Sequence, residues 1–141
     1  MRSALVFIAL TLAACQPGAG RISYATPIPP PRITSPDALV GSHGVAGVGG
    51  VAYAALQDHP TVSITQDRIS MPGNCAIAGW SYSFDGDRLI TKAIAGPTCR
   101  RALTPEERGL VAAFTGANKV SRTAVDGLIF EGTGGTVTLF Q

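Results

Sequence analysis

Over residues 76–84, apolar and small or polar side chains alternate. Ala76, Ala78, Trp80, Tyr82 and Phe84 fall on one face, and Ile77, Gly79, Ser81 and Ser83 on the other. A period of two with aromatics at successive positions predicts a half-buried strand. Asp85-Gly86-Asp87 then turns the chain into a second strand over Arg88–Ile94, completing a hairpin. Shorter apolar runs predict strands over Thr61–Thr65 and Arg68–Met71, around Gln66-Asp67. Three more are predicted over Val120–Val125, Leu128–Glu131 and Thr136–Phe140, with Leu128, Phe130, Val137 and Leu139 facing inward. One helix is predicted: Thr104-Pro105-Glu106-Glu107 is a capping box with proline at the first helical position, and both carboxylates sit at the positive end of the helix dipole. Leu110, Val111 and Phe114 give this helix a buried side, and Gly116 or Asn118 its stop. Several short strands with one helix predict a mainly β fold, a curved antiparallel sheet or a small β-barrel whose closure removes exposed edges.

Upstream of Thr61 the patterning changes character. Arg2 precedes an apolar run from Ala4 to Leu10, followed by Leu12-Ala13-Ala14-Cys15. A positive start, an apolar core and small residues before the cut describe a secretory signal peptide over residues 1–14. The run is shorter than the ~20 residues a transmembrane helix needs. The cysteine at the cut fits a lipobox, which places acyl chains on the Cys15 thiol; each buried CH₂ then contributes roughly 0.8 kcal/mol to membrane attachment. Gln16, rather than an aspartate, favours the periplasmic face of the outer membrane as the destination. Residues 16–37, with Pro27, Pro29, Pro30 and Pro31, read as an extended spacer. Residues 38–57 contain no Asp, Glu, Lys or Arg and carry five glycines among valines and alanines. They are expected to form a flexible linker running into a first strand over 51–56. Packing against a membrane or partner through the small residues is the alternative. The expected division is a signal peptide over 1–14, a lipid-anchored tether over 15–57 and one domain over 58–141.

Composition narrows the classes of function. The formal charge of +2 falls to +1 once Arg2 is removed, which gives no electrostatic case for nucleic acid or an acidic substrate. Of three cysteines, Cys15 is assigned to lipid, leaving Cys75 and Cys99 in a compartment that permits disulfides. A bridge between them would stabilise the fold by roughly 3–4 kcal/mol in the chain-entropy model. Two free thiols are the alternative. A metal site lacks ligands, because His43 and His59 lie outside that stretch and no CxxC or HxxxH spacing occurs.

Five features recur in a fixed order: Gly73-Asn74-Cys75 with Gly79; Asp85-Gly86-Asp87-Arg88-Leu89; Thr98-Cys99; the helix with Glu107 and Leu110; and Gly127-Leu128 ahead of a final Thr136-Val137-Thr138-Leu139-Phe140 strand. In this order and spacing, residues 61–141 resemble the META domain, the family of HslJ-like lipoproteins. The resemblance implies a lipocalin-like curved β architecture and an association with envelope stress, and it brings no catalytic residues. Two features depart from the family. The family reads Gly-Cys-Asn where this chain has Gly73-Asn74-Cys75, which moves the cysteine to the opposite face of a strand. Its opening Trp-containing strand also has no counterpart before Thr61.

No catalytic set is expected. His43 lies in the glycine-rich stretch and His59 precedes Pro60, so both read as surface or loop histidines. Asp85 and Asp87 read as a hairpin turn, Glu106 and Glu107 as helix capping, and Arg100 and Arg101 as a solvated basic spot. Trp80 reads as core, with a ligand-facing role for Trp80 and Tyr82 inside a barrel as the alternative. The chain is therefore expected to be a non-enzymatic envelope lipoprotein that needs no cofactor, touching the membrane through its anchor and either binding another envelope component or stabilising it structurally under stress. The competing expectation is an inhibitor of a cell-wall hydrolase or protease, presenting the loop between Ile94 and Leu103.

Overall fold

The computed structural model describes residues 28–52, 60–71, 77–96 and 100–141. Nine antiparallel strands form one sheet: β1 (Gly41–Val48), β2 (Val51–Ala52), β3 (Thr61–Ile64), β4 (Arg68–Ser70), β5 (Ile77–Asp85), β6 (Arg88–Ala95), β7 (Ala117–Arg122), β8 (Leu128–Gly132) and β9 (Gly135–Phe140). The helix α1 (Pro105–Thr115) joins β6 to β7. Strand order is β6-β5-β4-β3-β1-β9-β8-β7, with β2 attached to β1 alone. The sheet curls until its two terminal strands meet. At one end of that seam the Thr91 hydroxyl lies 3.2 Å from the Thr115 carbonyl and 3.4 Å from that of Ala117. At the other end the chain before β1 lies along the edge of β7. There the Ile33 amide donates to the Val120 carbonyl at 2.9 Å, and the Arg122 amide to that of Pro31 at 3.0 Å. Arg32 extends from this segment to Asp87 in the β5–β6 turn. The result is the nearly closed barrel expected from the strand pattern.

Most elements follow their sequence signals. The β5–β6 hairpin pairs Asp85 with Arg88 across a two-residue loop, and Gly86 supplies the positive φ of 62° that such a loop requires. Thr104 caps α1 as expected: its hydroxyl accepts from the Glu107 amide, while the Glu107 carboxylate accepts from the Thr104 amide. Gly116 closes the helix. Just beyond it the β8–β9 turn approaches so closely that a side chain at Gly134 would collide with the Ala112 carbonyl. The inward faces of β8 and β9 are Leu128, Phe130, Val137 and Leu139, all buried. Helix α1 lays Leu110, Ala113 and Phe114 into this core. The Phe114 ring packs 4.9 Å from Trp80 and 5.2 Å from Phe130 between centroids, both in the range where aromatic pairs add to plain burial.

The structure corrects the tether boundary. The chain joins the barrel wall at Pro31, and the charge-free stretch supplies β1, the strand that links β3 to β9 in the middle of the sheet. The glycines there do not mark flexibility: the bare Cα of Gly44 lies under the Phe140 ring, where a Cβ would collide. His43, Val45 and Gly47 face inward, so the period of two is present but carried by residues too small or too polar to signal it. Of the strand expected over 51–56, β2 forms Val51–Ala52, and 53–59 lie outside the described residues. The β7 strand runs Ala117–Arg122 rather than Val120–Val125, because Thr123–Gly127 make a turn with Asp126 at φ 62°. His43 is also corrected. It is 2% exposed, with Nε2 3.0 Å from the Leu39 carbonyl and Nδ1 without a partner, not a surface or loop histidine.

Candidate functional site

The first turns of α1 and the β1–β2 hairpin do not pack flush. Val48 ends β1, Gly49 and Gly50 reverse the chain with positive φ, and β2 holds Val51 outward with 73% of its surface exposed. Opposite stand Thr104, Pro105 and Gly109 of the helix start, where the lack of a side chain on Gly109 lets Val48 approach. Together with Ala52 and Pro60 they enclose a groove of about 880 Å³. Its walls are mostly aliphatic, and Glu106 and Glu107 form its lip.

The charge at that lip is fixed by the helix start. Arg101 grips Glu107 with two hydrogen bonds of 2.8 and 2.6 Å, and the Thr104 amide adds a third at 2.8 Å. These partners pull the Glu107 carboxyl down to about 2. The backbone amide at Glu106 and the Thr104 hydroxyl lower the Glu106 carboxyl as well. Both are ionised at neutral pH, and Glu107 is committed to the cap while Glu106 stays exposed. Such a groove suits an extended apolar segment with a cation beside it.

The residues singled out by sequence lie elsewhere. Trp80 is fully buried, and its indole N–H donates to the Thr115 hydroxyl at 3.0 Å. Tyr82 is buried too, and its hydroxyl donates to the Thr65 carbonyl at 2.6 Å. Burial, together with the charges of Asp67 and Asp37, pushes the Tyr82 phenol up to about 12. Both polar atoms are used inside the protein, and a ligand reaching Trp80 would have to displace Phe114 or Thr115. Cys15, Cys75, Cys99 and His59 lie outside the described residues. Asp85 pairs with Arg88 across the hairpin, and Asp87 takes Arg32. Arg100 is exposed, while Arg101 serves the helix cap. Among the described residues, no three His, Cys, Asp or Glu side chains come together as metal ligands, and no helix is long and apolar enough to cross a membrane.

Sequence reasoning missed the groove because one of its walls, Val48 to Ala52, comes from the stretch read as linker. One signal was available: an aliphatic run without charge, such as Val45 to Ala52, is more often packed or packing than solvated. No known protein family matches the chain, and neither a curated protein nor a solved structure does.

Proposed function

We propose that this chain is a non-enzymatic lipoprotein of the cell envelope with a META-like domain, held through acylated Cys15 on the periplasmic face of the outer membrane. Its barrel acts as a binding module, and its work is to engage another envelope component in a role tied to envelope stress. The observation that supports this best is the groove between the β1–β2 hairpin and α1. There an exposed valine and a run of aliphatic wall residues stand open beside an acidic lip whose own hydrogen bonds are satisfied. A satisfied, rigid rim around an apolar cleft is what an interaction surface needs, since little ordering entropy is lost on binding.

The competing reading, an inhibitor of a hydrolase or protease, draws on Arg101. Its two hydrogen bonds to Glu107 fix the carboxy-terminal end of the loop before α1, as a loop that enters an enzyme cleft requires. Photo-crosslinking in whole cells separates these readings from an enzymatic one. A crosslinker at Val51 is expected to give one discrete adduct that the same group at Ile90, on the far wall, does not. Loss of that adduct in a Glu106→Lys chain would tie it to the groove. Substrate turnover abolished by replacing a single polar side chain would overturn the proposal.

A further inference from the structure

Most cations of the described residues are committed inside the protein. Arg32 takes Asp87, Arg101 takes Glu107, Lys119 takes Glu131 and Arg122 takes Asp126, while Arg108 donates to the Leu103 carbonyl. Two that are not committed stand together on the outer wall of β4, β5 and β6. Arg68 pairs in register with Ser81, and Ser81 with Lys92, so the three form one row across three strands. The next row carries Ile69 and Trp80, both buried in the core. Strand alternation therefore turns Arg68, Ser81 and Lys92 outward, and all three are exposed.

The carboxylates nearest this row are turned to other work. Asp67, in the turn before β4, accepts from the Thr65 hydroxyl at 3.2 Å, and its charge, with that of Asp37, bears on the inward Tyr82 phenol. Asp37 also accepts from the Gln66 amide at 2.6 Å, and Asp87 takes Arg32. Asp85 lies two outward positions further along β5, opposite Arg88. Among the described residues no carboxylate pairs with Arg68 or Lys92, which flank Ser81 with like charge. Two strand spacings put their Cα atoms about 10 Å apart, a gap that two long side chains can close from both sides over one bound group. The Ser81 hydroxyl lies 3.5 Å from the Lys92 carbonyl, the limit of a hydrogen bond, and can turn to such a group instead.

We infer that Arg68, Ser81 and Lys92 form a site for the phosphate group of a phosphate ester. The donor set selects this chemistry. A carboxylate offers two oxygens in one plane, which the guanidinium fork satisfies alone, leaving Lys92 unused. The tetrahedral oxygens of a phosphate reach the fork, the ammonium and the hydroxyl together. Strand β5 is hydrogen-bonded on both sides, so the row is held in place before a ligand arrives. None of the three residues lines the groove, and the site is separate from the binding surface proposed above. A soluble phosphate ester and a phospholipid headgroup share this chemistry.

The test titrates the full chain, in micelles of a non-ionic detergent, with glycerol 3-phosphate at constant ionic strength. NMR follows the Ser81 amide and the side chains of Arg68 and Lys92. Saturable shifts at all three are expected, and acetate at the same ionic strength is expected to leave them in place. Arg68→Gln and Lys92→Gln, both at exposed positions, are each expected to weaken binding about tenfold or more. Arg88→Gln is expected to leave it unchanged. Phosphatidylglycerol is then added to the micelles. Displacement of glycerol 3-phosphate assigns the site to a lipid headgroup, and undisturbed binding assigns it to a soluble ester; either result supports the site. Acetate producing the same shifts with equal affinity overturns the inference, as does phosphate binding that survives both glutamine substitutions.

Discussion

The indole N–H of Trp80 donates to the hydroxyl of Thr115 at 3.0 Å, tying the middle of the barrel wall to the last turn of the helix that closes it. The same helix turn carries Phe114, wedged between Trp80 and Phe130. Replacing Thr115 with valine removes the acceptor from a fully buried donor. Thr115 itself is exposed, so water can reach part of the gap, and the expected loss is about 1 kcal/mol. Phe114→Ala empties the core and is expected to remove about 3–5 kcal/mol. Urea midpoints measured at equal slope check both values.

Tyr82 gives the fold an alkaline limit. Its phenol is pushed up to about 12, chiefly by burial, so the native state holds the proton after the unfolded chain has released it. The stabilisation from the neutral phenol is complete below the ordinary tyrosine value of 10 and is lost as pH rises toward 12. Tyr82→Phe is expected to lower stability at neutral pH by about 1 kcal/mol, through loss of the bond to Thr65, and to flatten the alkaline decline. Thermal melts from neutral to strongly alkaline pH compare the two chains.

Glu107 acts at the opposite extreme. Its carboxyl is drawn down to about 2 by Arg101 and the Thr104 amide. Its contribution is therefore present above the ordinary glutamate value and is lost as pH falls toward 2. Arg101 is more than half exposed, so the ion pair is worth under about 1 kcal/mol, and the capping hydrogen bonds matter more. Thr104→Ala is expected to cost about 1 kcal/mol at neutral pH. Glu107→Gln is expected to cost less than that, and to melt like the parent at pH 2.

The tether boundary has a direct consequence. A chain beginning at Asp58, where the sequence pattern places the domain, would leave β3 and β9 without the strand between them. It is expected to remain unfolded by circular dichroism. A chain beginning at Ile28 keeps Pro31, Arg32 and Ile33 against the seam and is expected to fold cooperatively.

Legibility in the sequence followed side-chain size. The β5–β6 hairpin was readable because Trp80, Tyr82 and Phe84 mark one face, and the helix because Thr104 and Glu107 form a cap with a known spacing. β1 was not, because its inward positions are His43, Val45 and Gly47. A polar ring and a glycine hide an alternation that only the neighbours Phe140 and Leu39 make sense of. The groove was lost with it, since Val48 and Val51 flank the β1–β2 turn. The reading of Trp80 as core was legible from its place on the aromatic face of β5, and Tyr82 is buried on that same face.

The account depends most on β1 holding the barrel together, and amide hydrogen exchange along Gly41–Val48 tests this directly. The Val45 amide donates to the Pro60 carbonyl at 2.9 Å and its side chain is fully buried. Its exchange is predicted to be as slow as that of Trp80 and Phe130, opening only with global unfolding. Exchange of the Val45 amide at the rate of an unstructured peptide, while Trp80 and Phe130 stay protected, would contradict it.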